Sequence, residues 1–304
     1  MWEETRAFAR MMSEQHKNLK FTYFTSGVYF IAPENKTSYT PPRGYPGKSA
    51  IGFAHGVGDI ARRIDEVNKA HAEGNEIASH ANGHFNGQKE GWSKDEWIYE
   101  LGIFKNILYK PQQFNPDLPA GVGLNFPSQD IRGFRAPELG VNSELYSALS
   151  QLHYRYDASR VSEPKTWPKK DVLGIWQIPL SDIVIGEYHD MTISMDFSIY
   201  QKQTDAQSIA VKGTPFWDKL YNDTLNSFRD YFNKNFDANR APVVIANHFS
   251  KWNDGAYWEA MKTFAEEVCG RPEVRCTTYG ALTDYLDSLS PTVLANYEKG
   301  NFPK

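Results

Sequence analysis

The four residues Glu76-Ile77-Ala78-Ser79 read as a short strand that runs directly into His80-Ala81-Asn82-Gly83-His84. The helical stretch before it, Ala61–Glu73, stops at Gly74, the residue type that most readily ends a helix. A second short apolar run, Val243-Val244-Ile245, leads in the same way to His248. Strands this short and this apolar, alternating with helices, are buried on both faces, and that pattern implies parallel β/α units. No G-x-G-x-x-G follows a strand, which argues against a dinucleotide-binding sheet. A β/α barrel with its chemistry at the carboxyl ends of the strands is the better reading.

The remaining elements follow from periodicity and punctuation. Met1–Lys17 reads as a helix with Phe8, Met11 and Met12 on one face, and Leu19–Thr25 as an alternating strand. Ala32–Gly52, rich in Pro, Gly and Ser, is expected to cap one end of the domain. Helices are expected over Val57–Ala72, from the Ser93/Glu96 capping box to about Tyr109, and over Ser143–Leu152, Phe216–Phe232, Tyr257–Val268 and Ala281–Ser288. Strands are expected at Ile131–Arg135, Tyr154–Ala158, Gly174–Pro179, Pro242–Ala246 and Val274–Thr277. Residues 183–215 show short β-like pieces and no clear helix, and Pro291–Lys304 reads as a loose appendage. The barrel is therefore assigned to 1–289 and a tail to 290–304.

Composition excludes some classes. A net charge of −4 without any Lys/Arg cluster gives no nucleic-acid footprint, and no apolar run is long enough to span a membrane. An aromatic content of 14% suits sugar stacking, but a protein core needs aromatic rings as well. Cys269 and Cys276 lack zinc-knuckle spacing; a local disulfide and two free thiols both remain open. No leader peptide is visible at the N-terminus.

Three strand ends carry polar residues suited to catalysis. His80 and His84, on one turn after a strand, can bind one metal ion, with neutral imidazole suiting zinc or another divalent transition metal. A bare H-x-x-x-H is more often two unrelated surface histidines. Arg135, closing Arg132-Gly-Phe-Arg-Ala-Pro137, and His248 would reach the same rim, and this convergence weighs against that bland reading.

These residues resemble a known family. H-x-x-x-H, then R-x-P, then an apolar strand leading to histidine is the motif order of the polysaccharide deacetylases of carbohydrate esterase family 4, the NodB-like domains. The likeness is closest to the chitin-deacetylase-like branch. It shows in Glu76–His80, Gly133–Pro137, Tyr154–Ser159, Ile175–Leu180 and Asn239–Pro242, and spans residues 20 to 285. The resemblance implies a distorted (β/α)7 barrel that removes N-acetyl groups from amino sugars with one divalent metal, usually zinc. It makes His80 and His84 metal ligands, His248 the general acid, and Arg135 the residue that holds the catalytic base. Pro137, Trp176 and Leu180 would contribute to substrate binding, the last two in the acetyl-pocket region. The partner would be an N-acetylated glycan polymer, peptidoglycan or chitin-like, met outside the cytoplasm by a chain expected to be monomeric.

The chain departs from that pattern in one respect. The Asp-Asp pair that would end the first strand is absent, although it would supply the base and the third metal ligand. A strand upstream of Met1 is the expectation; the rival is a degenerate site in which Glu3 or Glu4 stands in, or a carbohydrate-binding protein on the same fold without catalysis. His55 is expected in solvent and His71 and His153 in structural places. Tyr188-His189-Asp190 has no evident partner, and Asp196 either faces the groove or caps a turn, with the cap preferred.

Overall fold

Nine short strands account for the centre of the described molecule: β1 (Thr22–Thr25), β2 (Glu76–Ser79), β3 (Gly133–Phe134), β4 (Tyr156–Asp157), β5 (Val161–Ser162), β6 (Lys169–Lys170), β7 (Trp176–Gln177), β8 (Leu180–Ile185) and β9 (Asp190–Ile193). They come from a computed structural model that describes residues 2–186 and 190–302. One sheet has the order β1-β2-β3-β4-β7-β6, parallel except for the antiparallel β6. A second, β5-β8-β9, pairs β5 with β8 in parallel and β8 with β9 antiparallel. Since β5 follows β4 and β8 follows β7, the second sheet prolongs the first, and the backbone bonds Ile178 N to Asp157 O and Leu180 N to Arg160 O bridge the junction.

The expected parallel β/α arrangement is present, with helices between the strands. β2 has the boundaries read from the sequence. Ser93 and Glu96 make the reciprocal capping box that opens helix Lys94–Tyr109. Four expectations need correction. Pro242–Ala246 forms no ladder of its own; it makes one parallel bridge, Met195 to Ala246, flanked by the bonds Ala246 N to Ser194 O and Asp196 N to Ala246 O. Val274–Thr277 is not a strand: Cys276 is tied back to Cys269 by a disulfide, and Val274 N bonds Arg271 O in a turn. Residues 183–215 contain a helix, Asp196–Thr204. The tail holds helix Pro291–Glu298, started by a Ser290 cap and Pro291, and Leu294 and Tyr297 pack it against the rest of the chain.

Tyr156 and Trp176 are register partners on neighbouring parallel strands, so their side chains leave the sheet on the same face. They join Ala158, Ile178, Leu180, Met195, Val244 and Ala246 in one buried cluster, with Leu286 of helix Tyr279–Ser288 against it. This core fixes the Met195–Ala246 junction that leads to Asp196 and His248, while Ile77 of β2 and Phe134 of β3 pack in a separate cluster. No helix among the described residues is long and apolar enough to cross a membrane.

Candidate active site

β2 delivers the histidine turn. His80 N bonds Thr25 O (2.9 Å), continuing the β1–β2 ladder by one residue, and the chain then bends through Ala81 (φ 53°) and His84 (φ 58°). Each left-handed, non-glycine residue costs about 1 kcal/mol, so the surroundings must hold this turn in place. The two imidazole centroids are 5.0 Å apart at 73°. His80 Nδ1–H donates to the carbonyl of Arg135 (2.7 Å), which leaves the Nε2 lone pair as the free donor. Burial, reinforced by the nearby His84, holds His80 down to about 3, and burial also lowers His84. Both rings are therefore neutral at pH 7, the form that ligates metals.

Arg135 closes β3 and is buried. Its Nε donates to Ala158 O (2.9 Å) and its Nη2 to Tyr279 Oη (2.8 Å), while the guanidinium lies 4.4 Å over the Phe24 ring. No ion pair of Arg135 with a carboxylate occurs among the described residues. Beside it Asp157 is fully buried, which pushes its carboxyl up to about 6; the Ser159 hydroxyl and Tyr146 donate to it.

His248 stands on the rim just beyond Ala246. Its Nδ1–H donates to Asp196 Oδ1 (2.6 Å), and its backbone N–H to Asp196 Oδ2 (2.8 Å). The Asp196 side chain is 1% exposed and that of His248 45%, so a buried carboxylate orients an accessible imidazole. The bridge between Met195 and Ala246 puts Asp196 beside the histidine. Asp196 also accepts Phe197 N (2.7 Å), so the cap-like contact exists alongside a grip on His248 that the sequence reading missed. The available signal was a carboxylate placed just after a strand, as His248 is. Phe197 and Trp252 flank the imidazole at 6.1 and 5.6 Å between ring centroids.

His80 and His84 face each other, and His248 lies near enough to add slightly to what disfavours their charged forms, without the three gathering as one donor group among the described residues. Pro137, two residues beyond Arg135, is buried. Trp176 is 4% exposed and its indole N–H donates to Asp287 (3.0 Å), while Leu180 is wholly inside the core. Glu3 pairs with Arg62, and Glu4 accepts from Lys251 (2.6 Å) and Trp258 (2.9 Å), so neither joins the histidines. His55 is exposed, and His71 stacks on Phe126 and meets Asp130. Tyr188 and His189 lie outside the described residues. The donor set fits a divalent metal only in part. It has two neutral imidazoles, one fixed from behind by a carbonyl, but no group of three His, Cys, Asp or Glu gathers among the described residues. A catalytic zinc takes three protein ligands, so the residues present do not complete its site.

No protein-family model and no curated protein matches the chain. A solved structure from Mycobacterium smegmatis, assigned as a polysaccharide deacetylase, superposes on 93% of this chain and 77% of its own at 17% identity, with a TM-score of 0.54. The chain has the fold of that deacetylase. At this identity the likeness is one of fold. Two others align more loosely. The Xyl-CE4 domain of a multidomain xylanase from the hindgut metagenome of Trinervitermes trinervoides has a TM-score of 0.43 at 12% identity, over 94% of this chain and 86% of its own. The 4-alpha-glucanotransferase of Thermococcus litoralis has 0.49 at 13%, over 94% and 36%.

Proposed function

We propose that this chain is a hydrolase that removes acetyl groups from an N-acetylated glycan of the peptidoglycan or chitin type. The observation that carries the reading is the Asp196–His248 pair on the rim shared with His80 and His84. Asp196 holds Nδ1–H, so Nε2 of His248 faces outward to pass a proton to the departing amine as water adds to the acetyl carbonyl, the amide C–N bond breaks and acetate leaves; the proton shed by the water replaces the one delivered. His80 and His84 are assigned as donors to a divalent ion, zinc by the preference of imidazole. Two donors leave that ion incompletely held. Arg135, fastened to Ala158 and Tyr279, shapes the rim beside His80. Pro137 is assigned to the pocket wall, with Trp176 and Leu180 as its packed backing. The Cys269–Cys276 disulfide suits an oxidising compartment outside the cytoplasm.

Acetate release measured side by side on chitin oligomers and purified peptidoglycan tests this reading. Release that His248→Ala abolishes supports it; a full rate in that variant removes His248 as the acid. The incomplete metal donor set favours one alternative, a glycan-binding protein on the same fold. Glycan binding without acetate release by the wild-type chain would establish that instead.

A further inference from the structure

The turn that carries His84 rests on a buried polar socket. Glu100, midway along helix Lys94–Tyr109, is fully buried and reaches up to the turn from below. Its Oε1 accepts Asn82 N (3.0 Å), and its own backbone carbonyl accepts Asn82 Nδ2 (2.8 Å). Tyr39, also fully buried, donates its hydroxyl to both carboxyl oxygens (3.1 and 3.2 Å). Tyr39 comes from the long polar loop before helix Val57–Ala72. That loop holds the same turn from the other side, through Ala50 N and Ser49 Oγ on Gly83 O. Space for Asn82 exists because residue 27 is glycine: a Cβ there would lie 2.0 Å from Asn82 Oδ1. Between Ala81 and His84 the backbone is left-handed at both ends, so the turn keeps its shape only while its central amides are anchored.

We propose that Glu100, with Tyr39 bound to it, is a positioning residue that sets the direction of the His84 imidazole relative to His80. Its effect on a bound ion rests on the metal-donor reading of the two histidines; its effect on His84 itself does not. Asn82 lies two residues before His84, and the amide that Glu100 fixes belongs to the same turn. Losing that acceptor frees the turn to relax toward ordinary right-handed or extended backbone, which swings His84 away from His80. Burial pushes the Glu100 carboxyl up to about 7, so a neutral glutamine is a fair mimic of its protonated form.

Histidine ring resonances test this in Glu100→Ala, Glu100→Gln and Tyr39→Phe. Glu100→Ala should move the His84 resonances and leave those of His248 in place. Glu100→Gln should return the His84 resonances toward their wild-type positions. Unchanged His84 resonances in folded Glu100→Ala overturn the proposal. So do equal shifts of all histidines, which mark general loosening. Should Glu100→Ala not fold, Tyr39→Phe decides: a smaller shift confined to His84 supports the proposal and none overturns it.

Discussion

Asp196→Asn separates a catalytic dyad from a mere turn contact. In the wild-type chain Oδ1 accepts Phe197 N and His248 Nδ1, and Oδ2 accepts His248 N. An asparagine must put its NH2 where one of those oxygens stood. Placed at Oδ2, it confronts the His248 backbone N–H; placed at Oδ1, it confronts the Phe197 N–H. Either orientation leaves a buried donor without an acceptor, a loss of roughly 1–3 kcal/mol. The charge-assisted part of the ring contact also goes, but the imidazole is 45% exposed, so solvent screening limits that contribution to about 1 kcal/mol. Total destabilisation should be about 2–4 kcal/mol. A double-mutant cycle by urea unfolding, using Asp196→Asn, His248→Ala and both together, isolates the ring contact because the backbone contact to His248 N survives in His248→Ala. The expected coupling is about 1 kcal/mol. In Asp196→Asn, long-range nitrogen-proton NMR should also show His248 losing its fixed Nδ1–H tautomer. A coupling under about 0.3 kcal/mol with an unchanged tautomer would refute the dyad.

Three further outcomes follow from the site and its frame. With two imidazole donors and no third among the described residues, elemental analysis after dialysis should find well under one zinc per chain; stoichiometric, tightly held zinc would show that another group completes the site. Asp157, raised to about 6 by burial, keeps its proton in the folded chain after the unfolded chain has lost its own. Its contribution is therefore full below about pH 4 and lost as pH rises to 6, by about 3 kcal/mol, and Asp157→Asn should remove that decline. His80 acts in the opposite sense, adding stability as pH rises from about 3 toward 6.5, so the wild-type minus variant difference is the quantity to measure by urea unfolding; a pH-independent difference refutes the assignment. Opening the Cys269–Cys276 loop, with a sequence separation of 7, should cost about 2.5 kcal/mol on the chain-entropy account, and an unfolding midpoint indifferent to reductant would contradict it.

What was legible in the sequence was local. β2 and helix Val57–Ala72 have the boundaries read from punctuation and apolar spacing, and the Ser93–Glu96 box makes the contacts its spacing implies. What was illegible depends on partners far along the chain. Helix Asp196–Thr204 has only Ile199 and Tyr200 as large buried apolar side chains, too few to print a helical period over nine residues. Helix Pro291–Glu298 buries none of its residues fully; Leu294 and Tyr297 pack against a cluster that includes Trp167, which no local pattern announces. The apolar run at Val243–Ile245 has a strand composition, yet among the described residues the bridge it leads to pairs Ala246 with Met195, from the stretch whose pattern was unreadable.

The same distinction divides the site. His80 and His84 share one turn, so their spacing was visible, whereas His248 meets Asp196 across 52 positions of sequence and only the fold pairs them. Arg135 was visible in its motif, but the neighbours that hold it were not. The resemblance expects it to hold a carboxylate base, and the structure seats it between Phe24 and Tyr279 with its donors on Ala158 and Tyr279. An arginine held by a carbonyl, a phenol and two ring faces keeps its place without an ion pair. The geometry of this rim therefore stands on its own contacts: removing either aromatic ring should disturb the backbone at Arg135, whose carbonyl sets the His80 tautomer.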